Sequence, residues 1–178
     1  MPTYLAFLRA INLGPTRKFP ANAVRAATEA AGGREVVTYL NTGNVRLDSA
    51  RRSASLLQLD LEAAYAQDRG FAVPTVVFTR PEVREIAARG RELEDEHGPS
   101  GSHYVTLYTG EPTAALVRAL TALETPGERS VVHGRAAHAL LDRGVSDSTL
   151  LRSREFRALG EGTARTLRVL ETIVERWC

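Results

Sequence analysis

The residues best suited to chemistry lie near the start of the chain. Arg9 and Asn12 sit in "LRAINLG", Lys18 follows, and Asn41, Thr42 and Asn44 come from "YLNTGN". A guanidinium fork, amide donors and backbone N–H groups together make a set that suits phosphate or carboxylate. The same residues also suit turns. Asn-Thr-Gly-Asn is what a tight hairpin wants, Asn side chains readily cap loop backbone, and Arg9 can hydrogen-bond loop carbonyls. Neither segment holds a general base for neutral pH. The glycines match neither G-x-G-x-x-G nor an ending in GK[ST]. Binding site and turn both stay open on these residues alone.

Other candidates carry less. The histidines His97, His103, His133 and His138 have no H-E-x-x-H or paired-Cys spacing, so no metal site is expected. His103 borders a linker, His133 sits at a turn, and His138 reads as an ordinary strand histidine. "GVSDSTLL" offers Ser146 and Asp147 as nucleophile and carboxylate, but either fits better as a helix N-cap before Thr149 and Leu150. In "GEGTARTL", Thr163 reads as the cap of the last helix. Arg165 then falls in its first turn, where the dipole disfavours a cation; that is a hint of an anionic partner. The acids of "RELEDEH" read as a solvated face.

The elements that would position these residues follow from periodicity. Residues 3–9 form a nearly continuous apolar run, a central strand. Ala23, Val24, Ala27, Ala30 and Ala31 fall at helical spacing before Gly32-Gly33. "EVVTYL" and "NVRLDS" flank the "NTG" hairpin. A helix capped by Ser53 or Ser55 runs to Gly70, and "VPTVVFT" is a fourth strand. The order βαββαβ is that of the ferredoxin-like unit, in which strands one and three are the central antiparallel pair. Their pairing places Arg9 near Asn44. A short helix follows Pro81, then a charged, Gly- and Ser-rich linker, Arg89 to Ser102. "HYVTLYTG", a helix after Pro112, a hairpin turning at His133-Gly134 and a last helix bearing Leu167, Leu170, Ile173, Val174 and Trp177 give a second order, βαββα. The fold class is α+β: a ferredoxin-like unit over residues 1–80, helix and linker over 81–102, and a smaller second unit over 103–178.

Composition bounds the function. The 178 residues carry a net charge of +2, which is not the footprint of a dedicated nucleic-acid binder. Strand three lacks the aromatics an RNA-recognition sheet needs, and Tyr4 and Phe7 point to opposite faces. The positive charge is nearly all arginine, Lys18 being the only lysine, which is read as compositional bias. The single cysteine, Cys178, allows no internal disulfide. The opening apolar stretch has no basic region or cleavage site and is too short to span a bilayer. A cytoplasmic protein is expected, with no cofactor and no membrane or nucleic-acid partner, as a monomer or homodimer.

"FLRAINLGPTRKFPANAVR", "TYLNTGNVRLDS" and "GVSDSTLL…GTARTLRVLETI" together resemble the bacterial family of the domain of unknown function 1697. The resemblance implies an α+β fold of ferredoxin-like type and no activity. Arg9, Ile11, Asn12, Gly14, Lys18, Gly43 and Asn44 match its pattern, as do Thr163 and Arg165. Ala10 stands where the family usually has Gly, Pro15 where a second Gly is common, and Thr166 and Leu167 replace an Asn and a Trp. The expected function is binding of a small anion, a phosphate or nucleotide-type ligand, by Arg9, Asn12, Lys18, Asn41, Thr42 and Asn44, with Arg165 as a further candidate. An enzyme acting on a phosphorylated substrate and a dimerisation module without catalysis are the alternatives.

Overall fold

The computed structural model describes residues 1–98 and 101–178. Two compact units emerge: Met1–Val83 with Trp177, and Arg84–Arg176 with Cys178. Among the described residues, no helix is long and apolar enough to cross a membrane.

The first unit runs β1 (Thr3–Leu8), α1 (Ala21–Ala30), β2 (Arg34–Tyr39), β3 (Asn44–Asp48), α2 (Ala54–Arg69) and β4 (Thr75–Thr79). Its sheet is ordered β2-β3-β1-β4, every neighbouring pair antiparallel. This is the ferredoxin-like order, with β1 and β3 central. Period two gives β1 two faces. Tyr4, Ala6 and Leu8 share one core with Leu47, Val77, and Val24, Leu57, Leu61 and Tyr65 from α1 and α2. Burying each of the larger side chains contributes about 1.5–3 kcal/mol. Within this core Phe19 meets the Tyr65 ring edge-on at 5.3 Å. The Tyr65 hydroxyl reaches Thr28 Oγ1 at 2.7 Å, so a buried polar tip finds a partner. Ser53 Oγ caps α2 by accepting from Leu56 N, and Gly70 ends it at φ +73°.

The second unit contains most of α3 (Arg80–His97), then β5 (Ser102–Leu107), α4 (Ala114–Thr121), β6 (Glu128–His133), β7 (Ala136–Leu141), a 3-10 turn (Val145–Asp147), α5 (Thr149–Arg152), α6 (Arg154–Ala158), β8 (Thr163–Thr166) and α7 (Leu167–Trp177). Several expectations change here. The helix after Pro81 is not short: it continues through "RGRELEDEH", and of the expected linker only Gly98 and Gly101 to Ser102 lie outside helix among described residues, Pro99 and Ser100 falling outside them. The order is also longer by one strand. "TART" is β8, paired with β5, and the sheet order β6-β7-β5-β8 repeats that of the first unit. Thr163 therefore caps nothing. The cap of α7 is Thr166, whose hydroxyl accepts from Val169 N. Likewise Ser148, rather than Ser146 or Asp147, caps α5. One face of this sheet packs Ala137, Ala139 and Leu141 against Leu120, Leu150, Phe156 and Leu159. The opposite face carries His103, Val105 and Leu107 on β5, with His138 beside Val105 on β7.

Candidate functional site

The opening corner is assembled as strand pairing requires. Phe7 is in register with Asn44, and Leu8 N donates to Gly43 O at 2.8 Å, so the end of β1 lies beside the start of β3. Asn12 sits at φ +55° and its side chain is fully employed. Its Nδ2 donates to Phe19 O (3.0 Å) and Asn41 O (2.7 Å), while Oδ1 accepts from Phe19 N (2.9 Å). It thus closes the 12–19 loop and ties it to the hairpin. Asn44 is fully buried, and its Nδ2 donates to Tyr39 O (2.8 Å) and Thr42 Oγ1 (3.1 Å). Both protons of each amide are spent within the corner. Gly43, at φ +80°, could not be replaced: a Cβ would lie 2.6 Å from Leu8 Cβ.

Asn12, Asn41, Thr42 and Asn44 are therefore brought together, with the two amides serving as struts. Arg9 is half-buried at the same end, its N–H donating to Pro74 O. The Lys18 ammonium is exposed. Arg17, which carried no signal of its own in the sequence, is a clasp. It donates to Ala10 O and Ala72 O, each at 2.6 Å, and lies 4.5 Å over the Phe71 ring. Arg165 belongs to the second unit. It is 7% exposed on β8, in register with Val105, and its Nη1 donates to Thr163 Oγ1 and Ala164 O. Burial pushes its guanidinium down to about 10. Because α7 begins only at Leu167, the cation in that helix's first turn is Arg168.

Arg168 faces a cleft of about 570 Å³ in the second unit, lined by Arg84, Ala87, Ala88 and Arg91 from α3 and by Arg168, Glu171, Thr172, Val174 and Glu175 from α7. Each helix offers a stripe at i, i+3, i+4 and i+7. Arg91 Nη2 meets Glu171 Oε1 at 2.6 Å, so that pair is internally compensated. Arg84 and Arg168 have no partner among the described residues and leave two guanidinium groups at the cleft.

A second cleft, of about 340 Å³, shares Arg168 and Glu171 and adds Glu94, His103 and Thr166. Behind it runs a chain of titratable groups. Glu94 Oε1 lies 3.1 Å from His103 Nδ1, and His103 Nε2 lies 3.1 Å from His138 Nδ1. A carboxylate only accepts, so His103 Nδ1 carries the proton. His103 Nε2 then accepts, and His138 Nδ1 must donate. That leaves His138 Nε2 as a bare lone pair, buried and without a partner. Burial pushes His138 down to about 3, helped by the neighbouring His103, and also lowers His103 against the pull of Glu94. Gly90 makes the room: a Cβ there would run into Leu167 Cδ1 and sit 3.3 Å from His138 Cε1. No group of three or more His, Cys, Asp or Glu able to hold a metal occurs among the described residues.

The sequence held a partial signal for this chain of groups. By period two His103 and His138 share a face once β5 pairs with β7. That non-local pairing is what sequence reading lacked. Arg84, Arg91 and Arg168 carried no signal of their own in the sequence.

A family model described as "Protein of unknown function (DUF1697)" matches residues 1–138. A conserved bacterial protein from Streptococcus pneumoniae has a similar structure, with a TM-score of 0.69 at 20% identity over 98% of this chain and 97% of that one. At that identity the likeness concerns the fold alone. No curated protein matches the chain.

Proposed function

The chain belongs to the DUF1697 family, a membership that brings no activity with it, and we propose from its own geometry that it is a small-anion-binding protein. The observation that carries this reading is the pair of unpartnered guanidinium groups, Arg84 and Arg168, on one cleft of about 570 Å³. Arginine presents a planar fork that matches phosphate and carboxylate. Arg168 in the first turn of α7 is disfavoured by the helix dipole, and an anion beside it relieves that repulsion. The Asn12 and Asn44 amides are occupied within the corner, by backbone carbonyls and the Thr42 hydroxyl. There, an anion would meet the exposed Lys18 instead.

Thermal unfolding of the full chain against inorganic phosphate and small carboxylates tests this. A bound anion raises the midpoint, by about 2.7 kcal/mol of stability at a hundredfold excess over its dissociation constant. The rise should vanish in Arg84→Ala and Arg168→Ala and survive in Lys18→Ala. Loss in Lys18→Ala alone would place the anion at the corner. No rise in wild type with any anion at millimolar concentration would overturn the reading.

A further inference from the structure

We infer that the ligand is bifunctional: besides the anionic group taken by Arg168 it carries an ammonium group, taken by Glu94. This rests on the anion-binding reading above and names the class of molecule it implies. The two clefts adjoin at Arg168 and Glu171, which line both, and the smaller one is lined by Arg168 and Glu94 alike. Glu171 is neutralised by Arg91, whose Nε and Nη2 both reach Oε1, at 3.1 and 2.6 Å. The opposed charges left facing the smaller cleft are Arg168 and Glu94.

Glu94 is not a casual surface carboxylate. Its Oε1 accepts from His103 Nδ1, and His103 is held in that tautomer by His138 Nδ1–H behind it. Oε2 has no partner among the described residues, and the side chain is 39% exposed. The chain of groups thus holds one carboxylate oxygen from below and leaves the other to the cleft. His138 is fully buried, with Nε2 unsatisfied and Nδ1 joined to His103 Nε2 at 3.1 Å. Its Nδ1–H fixes the His103 tautomer and through it the orientation of Glu94. Glu94 is the contacting group, and His103 and His138 are positioning residues.

Titration calorimetry of the full chain against inorganic phosphate, phosphoethanolamine and ethanolamine tests this. Wild type should bind phosphoethanolamine at least tenfold more tightly than phosphate, and ethanolamine hardly at all. Glu94→Gln should bring phosphoethanolamine and phosphate within threefold of each other, with phosphate bound at least as tightly as by wild type. His138→Leu should also shrink that ratio, which a general loss of structure would not do because both ligands would weaken together. If phosphate binds wild type and the amine adds nothing, this inference fails and the anion reading stands. If neither phosphate nor phosphoethanolamine binds, this inference fails, and the anion reading fails with it when the small carboxylates also leave the thermal midpoint unmoved. Should a variant not fold, the wild-type affinities by themselves separate these outcomes.

Discussion

Asn12 and Ala10 illustrate what single residues do at the opening corner. Asn12 makes three side-chain hydrogen bonds to backbone, at 3.0, 2.7 and 2.9 Å. At about 1 kcal/mol each, Asn12→Ala should cost roughly 2–3 kcal/mol, read as a lower urea midpoint with an unchanged slope. A loss below about 0.5 kcal/mol would mean that solvent replaces these bonds. Ala10 stands at φ +56°. That conformation costs an L-residue about 1–2 kcal/mol, and glycine's freer unfolded chain gives back about 0.4–1 of it. Ala10→Gly should therefore stabilise the protein by about 0.5–1 kcal/mol in the same assay. The usual glycine of the family's pattern at this position has a physical reason: the corner needs a left-handed residue there.

At the scale of elements, Gly90 on α3 makes room for the Leu167 side chain at the start of α7. Replacing a helical glycine with alanine normally gains about 1 kcal/mol of propensity. Here the added methyl meets Leu167 Cδ1, and Leu167 is only 3% exposed, so the leucine must shift within a packed interior. Overpacking of this kind costs about 1–3 kcal/mol. Gly90→Ala should thus be net destabilising, seen as a lower thermal midpoint; a higher midpoint would show that Leu167 repacks freely. The element least legible in sequence is β8. Four residues with one exposed alanine give too short an alternation to distinguish a strand from a capped helix start. Only pairing with β5 makes it a strand.

Stability of the whole molecule should depend on acid through the buried histidines. His138 falls from 6.5 to about 3 in the folded protein because burial penalises its charged form. Below pH about 6.5 the unfolded chain binds a proton that the native chain does not, so stability drops as pH falls from there toward 3, by up to about 1.4 kcal/mol per pH unit. The groups facing it are His103 from β5, His133 from β6 and Arg89 from α3, with Glu94 beyond His103. All three neighbours oppose a charge on His138. Denaturant midpoints of wild type and His138→Leu between pH 7 and 4 check this. The variant should have the shallower acid limb, and parallel curves would remove His138 as the cause.

Sequence alone determined the first unit's element order and central strand pair, since these follow from period-two and period-3.6 burial and from the glycines and Ser53 that end or start the elements. It also brought Arg9, Asn12 and the Asn41–Asn44 hairpin to one end of a sheet, because antiparallel pairing of β1 and β3 leaves no other arrangement. What those amides bond was decided only by the tertiary fold, since a side chain that can cap a loop or meet a ligand looks the same in sequence. The same holds for the Glu94–His103–His138 chain. Its members lie 9 and 35 residues apart, and the β5–β7 register and the packing of α3 alone place them in line.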